Sequence, residues 1–142
     1  MKPTLVPGLD HTLRFVVPDA KTVPALYPES AEFRAMPSVF ATGFLVGLLE
    51  WAAILVVQPH LDDGEQTVGT RIDVTHEAAT PAGFVVTARA HLAEVAGRAL
   101  VFRVEAHDGA DIIARGTPER TVIVRERFDA KLAAKLGARP RT

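Results

Sequence analysis

Residues 39–57 read VFATGFLVGLLEWAAILVV, and this stretch decides the fold. It contains one ionisable side chain, Glu50, and one hydroxyl, Thr42; everything else is apolar or glycine. Ser38 after Pro37 offers an N-cap and Pro59 a stop, so the spacing predicts a helix of about 20 residues, roughly 30 Å long. A helix that is apolar all round is buried on most sides. Its length and its Gly43-x-x-x-Gly47 also fit a membrane span. Against that, a carboxylate near the middle costs roughly 2.5 to 3.5 kcal/mol on insertion, and no Lys or Arg cluster flanks either end. The segment is therefore read as the core helix of a folded domain rather than a span, and no membrane partner is expected.

Outward from this helix, the chain reads as one domain over 1–142, with residues 1–10 and 137–142 loosely held. Leu13 to Val17 forms a first strand, ended by Pro18. Thr22 to Pro37, broken by three prolines, is a loop with short helical turns. It carries Leu26, Tyr27, Phe33 and Met36, enough apolar surface for a lid. Thr67 to Thr75 is a strand with Gly69 inside it. Phe84 to Val95 and Arg98 to Ala106 are long strands meeting near Ala96-Gly97. Asp108-Gly109 marks a hairpin. Asp111 to Ala114 and Glu119 to Arg125 read as a final strand bulged at Gly116-Thr117-Pro118. A short helix is expected over Asp129 to Lys135. One long apolar helix against an antiparallel meander is α+β, and a sheet wrapped round a helix is the hotdog architecture. Exposed sheet edges and an uncovered helix face predict a homodimer.

Composition removes several functions. The chain has no cysteine, so thiolate metal sites, disulfides and a Cys nucleophile are absent. Its net charge of -1 gives no support to a nucleic-acid partner. No phosphate-cradling glycine motif or serine-hydrolase elbow occurs. The beginning of the chain lacks an apolar leader, so a cytoplasmic location is expected. The five histidines show no metal-ligand spacing, and no metal or other cofactor is expected.

Glu50 is the leading candidate for chemistry, because an acid in an apolar helix is either paired, for example with Arg71 or Arg89, or used. Thr42 lies eight residues earlier, about 80° round the axis. Judged alone it bonds back to its own turn. His76, at a strand end, can transfer protons near neutral pH. Arg120 alternates with Val122 and Val124; it points outward from an edge strand, or inward to an anionic or carbonyl partner.

The strings KTVPALYPESAEF, VFATGFLVGLLEWA, VTHEAATPAG, AHDGADII and GTPERTVI together resemble the fluoroacetyl-CoA thioesterases of the hotdog superfamily, from about Phe15 to Lys131. The resemblance implies a catalytic set of Thr42, Glu50 and His76. Glu50 would be the nucleophile or general base, His76 the proton carrier, and Thr42 the group orienting carboxylate and carbonyl. It places Gly69 and Arg120 at the acyl end of the substrate pocket and Phe33 in the lid. Met36 departs from the pattern, standing where the family carries a lid phenylalanine. A flexible thioether shapes that wall differently and points to a different or broader short acyl group. An acyl-CoA is the implied substrate. A hydratase would need an Asp and a His at the helix start, and neither is there. A non-catalytic acyl-CoA or acyl-carrier binding module is the alternative.

Overall fold

A computed structural model describes residues 1–140. The central helix α3, Thr42–Val57, is 16 residues long. Leu45, Leu48, Leu49, Ala52, Ala53, Val56 and Val57 are its buried face. The helix starts three residues later than the Ser38 cap predicts. Val39 and Phe40 are held as extended chain, by a bridge from Phe40 to Thr22 and one from Val39 to Pro81. These non-local pairings override the local cap signal, and Ala41 becomes the N-cap.

The strands are β1 Asp10–Val16, β2 Glu65–Arg71, β3 Val85–Ala96, β4 Ala99–His107, β5 Ile112–Gly116 and β6 Glu119–Val124. All pairings are antiparallel, in the order β1-β3-β4-β6-β2, with β5 also on β4. β5 pairs with Val104 to His107 and β6 with Ala99 to Val101, so the two lie end to end along one edge of β4. They are the single final strand read from the sequence, interrupted at Gly116-Thr117-Pro118. Residues 73–77 continue β2 in the same irregular way alongside β5: the Thr75 N–H donates to the Arg115 carbonyl at 2.8 Å, and the Glu77 N–H to that of Ile113 at 2.7 Å.

The sheet curls round α3. Val86, Ala88, Ala90 and Leu92 of β3 and Leu100, Phe102, Val104 and Ala106 of β4 face the helix and are buried. Arg89, His91, Arg103 and Glu105 alternate onto the outer face. This is the hotdog fold, a curled antiparallel sheet wrapped round one long helix. Between β1 and α3 run a three-residue 3-10 turn at Asp19–Lys21 and two single-turn helices, α1 Val23–Leu26 and α2 Ala31–Arg34. Ser30 caps α2, accepting the Phe33 N–H at 3.1 Å.

The leading segment, expected to be loose, is pinned. Leu5 is buried, the Lys2 N–H donates to the His60 carbonyl at 2.9 Å, and the Met1 ammonium pairs with Asp62 and Glu65. The C-terminal helix α4, Arg125–Gly137, is longer than the expected Asp129 to Lys135 and has no buried residue. The loose tail expected over 137–142 lies partly outside the described residues.

Candidate active site

One side of α3 is left open by the sheet. Thr42, Gly43, Gly47 and Trp51 are exposed, and Val46, Glu50 and Ile54 half-buried. Spaced by three and four, they form a stripe opposite the buried face. Both polar residues of the helix lie on it.

Thr42 is the first residue of the helix, so its side chain need not fold back onto a preceding turn. Instead its Oγ1 lies 2.7 Å from His76 Nδ1. His76 leaves the irregular 73–77 segment, and its Nε2 is the one buried side-chain nitrogen or oxygen without a hydrogen-bond partner among the described residues. An imidazole bonded through Nδ1 and free at Nε2 can pass a proton to a reactant placed there.

Glu50, two turns on, meets Arg120. Nη1 of Arg120 donates to Glu50 Oε1 at 3.0 Å. Nε donates to Thr67 Oγ1 and Nη2 to the Thr67 carbonyl, each at 2.9 Å. Arg120 is therefore the inward residue of its strand, 5 % exposed, with each of its three guanidinium nitrogens donating a hydrogen bond. Burial lowers its pKa, and the Glu50 charge opposes that fall. The partners considered from sequence are elsewhere: Arg71 beside Asp73, and Arg89 on Asp10 across the outer face. β6 lies between β4 and β2, so Arg120 projects into the interior and not from a free edge.

Gly69 stands directly opposite Arg120 in the β2–β6 register. A Cβ at Gly69 would collide with Glu50 Oε1. The missing side chain is what lets the carboxylate rest against the strand. Arg120 and Gly69 together fix Oε1, which leaves Oε2 as the oxygen able to face a reactant.

Phe33 and Met36 both lie in the segment between β1 and α3. Phe33 is half-buried and stacks on Tyr27 with ring centroids 5.6 Å apart. Met36 is 52 % exposed. That segment rests on the helix through Leu26, whose methyl carbons lie in van der Waals range of a side-chain position at Gly43.

The structure thus gathers the sequence candidates into two clusters: Thr42 with His76, and Glu50 with Gly69 and Arg120. Eight residues of helix separate them by roughly 12 Å along the axis. Thr67, which takes two of the Arg120 donors, was missed by the sequence reading. Its signal was modest: a strand threonine two residues from Gly69, on the same face. Among the other histidines, His60 bonds Thr4 and His91 bonds Asp10. No three His, Asp or Glu side chains converge as metal ligands would among the described residues.

Residues 24–126 match the model of the FlK family, the fluoroacetyl-CoA-specific thioesterases. The chain belongs to this family. It is 54 % identical over 138 residues to the fluoroacetyl-CoA thioesterase of Streptantibioticus cattleyicolor, covering 97 % of this chain and 99 % of that protein. It is similar to the crystal structure of an FlK mutant in complex with fluoroacetate and CoA, at 56 % identity and a TM-score of 0.83, covering 85 % of this chain and 97 % of that one. A Thermus thermophilus member of the thioesterase superfamily is 25 % identical with a TM-score of 0.84, covering 98 % of this chain and all of the other. The activity of the family is acyl-CoA thioester hydrolysis.

Proposed function

We propose that this protein is a homodimeric thioesterase that hydrolyses fluoroacetyl-CoA and related short acyl-CoAs to the free acid and CoA. The observation that carries the reading is Glu50, held against a glycine by a buried arginine with one oxygen left to react. Either Oε2 attacks the thioester carbonyl carbon, the C–S bond breaks, and water then cleaves the acyl-glutamyl anhydride to free the acid and restore the carboxylate, or Oε2 takes a proton from a water that attacks the carbonyl carbon as the C–S bond breaks. His76 Nε2 delivers the proton to the leaving thiolate. The Thr42 hydroxyl holds the imidazole through Nδ1 and orients the carbonyl.

The same distances favour a homodimer. A two-carbon acyl group cannot span two clusters roughly 12 Å apart on one helix. Val46 lies on the uncovered stripe of α3, midway between Thr42 and Glu50. Antiparallel packing of two such stripes about that midpoint sets Thr42 of each protomer opposite Glu50 of its partner. Gly43 and Gly47 let the backbones approach closely. The site is then assembled twice, each time from both chains. Packing of α3 as a core helix and a cytoplasmic supply of acyl-CoA favour a cytoplasmic enzyme working away from membranes.

The test is CoA release from fluoroacetyl-CoA. Glu50→Gln should lose about 10²- to 10⁴-fold in kcat while the fold and oligomeric state stay the same. Unchanged turnover in that variant would rule the reading out, and saturable binding without turnover in the native protein would indicate a binding module. Mixing Glu50→Gln and His76→Ala subunits should restore part of the activity. Failure of exchanged mixed dimers to regain any would break the shared-site arrangement.

A further inference from the structure

Asp108 and Thr80 form a buried polar contact that lies outside both clusters. Asp108 is 6 % exposed and Thr80 fully buried. A carboxylate buried at a hairpin turn is uncommon unless its oxygens are all employed. Oδ1 does the ordinary work of the turn, accepting the N–H groups of Ala110 at 2.9 Å and Asp111 at 2.8 Å. Oδ2 accepts the hydroxyl of Thr80, 28 residues away in sequence, at 2.8 Å. Closing the hairpin does not need that second contact.

Thr80 stands between the two partners of the first cluster. It follows His76 by four residues. Its carbonyl accepts the N–H of Phe40 at 2.7 Å, two residues before Thr42. One residue therefore ties the segment carrying His76 to the approach of α3, and its side chain ties both to the β4–β5 hairpin. The other end of the segment is fixed at Gly116. A Cβ there would run into the Asp73 carbonyl, so 73–77 lies hard against β5. Burial raises the Asp108 carboxyl, but the N–H groups of Asp111 and Ala110 and the Thr80 hydroxyl outweigh it and hold the pKa below the usual carboxylate range. At neutral pH Oδ2 is an acceptor only, which fixes the Thr80 hydroxyl as donor.

We propose that the Asp108–Thr80 pair is the positioning element of the Thr42–His76 hydrogen bond, setting the imidazole against the helix start from outside the site. This rests on reading Thr42 and His76 as part of the hydrolytic machinery. Neither Asp108 nor Thr80 touches the reactants, so the pair governs turnover more than substrate affinity.

The experiment compares Thr80→Val, which keeps shape and removes the donor, with Thr80→Ser, which restores it, and with Asp108→Asn. Each is measured for kcat and KM on fluoroacetyl-CoA well below its melting temperature, and for the His76 ring nitrogen shifts by NMR. Thr80→Val should lose about 10- to 100-fold in kcat with KM within about twofold, a size typical of groups that orient reacting side chains. Its His76 Nδ1 resonance should move toward that of Thr42→Val. Thr80→Ser should recover kcat to within about threefold. Asp108→Asn keeps an acceptor for the turn and places a donor against Thr80, and should shift the same resonance with about a tenfold loss. If Thr80→Val does not fold, Asp108→Asn decides by the same two readouts. A folded variant with native kcat and unshifted His76 nitrogens overturns the proposal, even if its melting temperature falls. The ring shifts read positioning without turnover. A native protein that proved inactive would thus count against the thioesterase reading alone.

Discussion

Glu50 and Thr42 share a helix and a face, yet their surroundings are built in opposite ways. Glu50 is met by regular structure: the middle of α3, β2 through Gly69, and β6 through Arg120. Strand register alone brings Gly69 and Arg120 opposite one another. Thr42 is met by His76 on a segment that belongs to no strand; scattered bonds from the Thr75 and Glu77 N–H groups and a close approach at Gly116 hold it to β5, and the Thr80 carbonyl holds it to Phe40. A site residue on regular elements inherits its position from the fold. One on an irregular segment needs dedicated contacts, each of which can fail separately.

The two supporting glycines test this contrast most strongly. At Gly69 the obstacle to a methyl group is the end of a flexible side chain, Glu50 Oε1. Gly69→Ala should displace the carboxylate and lower kcat/KM by about 10²-fold, with stability changed by less than about 1 kcal/mol. At Gly116 the obstacle is backbone, the Asp73 carbonyl. Gly116→Ala should cost about 2 kcal/mol in urea unfolding and, by moving His76, roughly tenfold in kcat. If the two variants behaved alike, the distinction between a rigid and an assembled cluster would be lost.

Arg120→Met sharpens the first half of the comparison. Removing the guanidinium leaves the Thr67 carbonyl and half-buried Glu50 without their donor. About 2 kcal/mol of stability should go, less than for a fully buried pair because solvent reaches Glu50. Denaturant midpoints read this directly; an unchanged midpoint would mean that the pair contributes position only.

A smaller effect tests the second half through pH. The folded-state pKa of Asp108 lies below the ordinary value, so the unfolded chain takes up this proton first as pH falls. The stability that Asp108 contributes is complete above the usual carboxylate pKa near 4 and is lost as pH drops through the lowered value. The melting temperature of the native protein should fall more steeply than that of Asp108→Asn in this acid range. Parallel curves would mean that Asp108 is not held in charged form by its donors.

The smallest effect is expected at the chain start. Hydrogen bonds to Asp62 and Glu65 raise the Met1 ammonium above its usual pKa near 8. Its contribution is present below that value and disappears as pH rises past the raised one. Added N-terminal residues should shift thermal stability slightly at neutral pH and not at all in strong alkali.

The regular part of the molecule was the part legible in the sequence. The apolar run with its single acid announced α3, and alternation announced the long strands β3 and β4. The helix start was misplaced by three residues because Phe40 and Val39 answer to Thr22 and Pro81, distant partners that no local signal reveals. Arg120 was ambiguous for a related reason. Alternation places it with Val122 on one face but does not say which face meets the core, nor that β6 lies inside the sheet. Glu50 was read as either paired or used; it has a partner, Arg120, whose identity depended on strand order. Asp108 was legible as a turn residue through Asp108-Gly109, but its contact with Thr80 spans 28 residues and belongs to the tertiary structure.

One consequence of the Gly69 contact concerns how such a pocket can be reshaped. The wall beside the Glu50 carboxylate is bare main chain, so it offers no side chain to trim. Adding one displaces the acid itself. Changes in acyl-group preference that preserve Glu50 must then come from side chains elsewhere, and half-buried Phe33 and exposed Met36 are two that can be exchanged without moving the backbone. Laboratory selection for larger or differently halogenated acyl groups should accumulate substitutions there and leave Gly69 untouched.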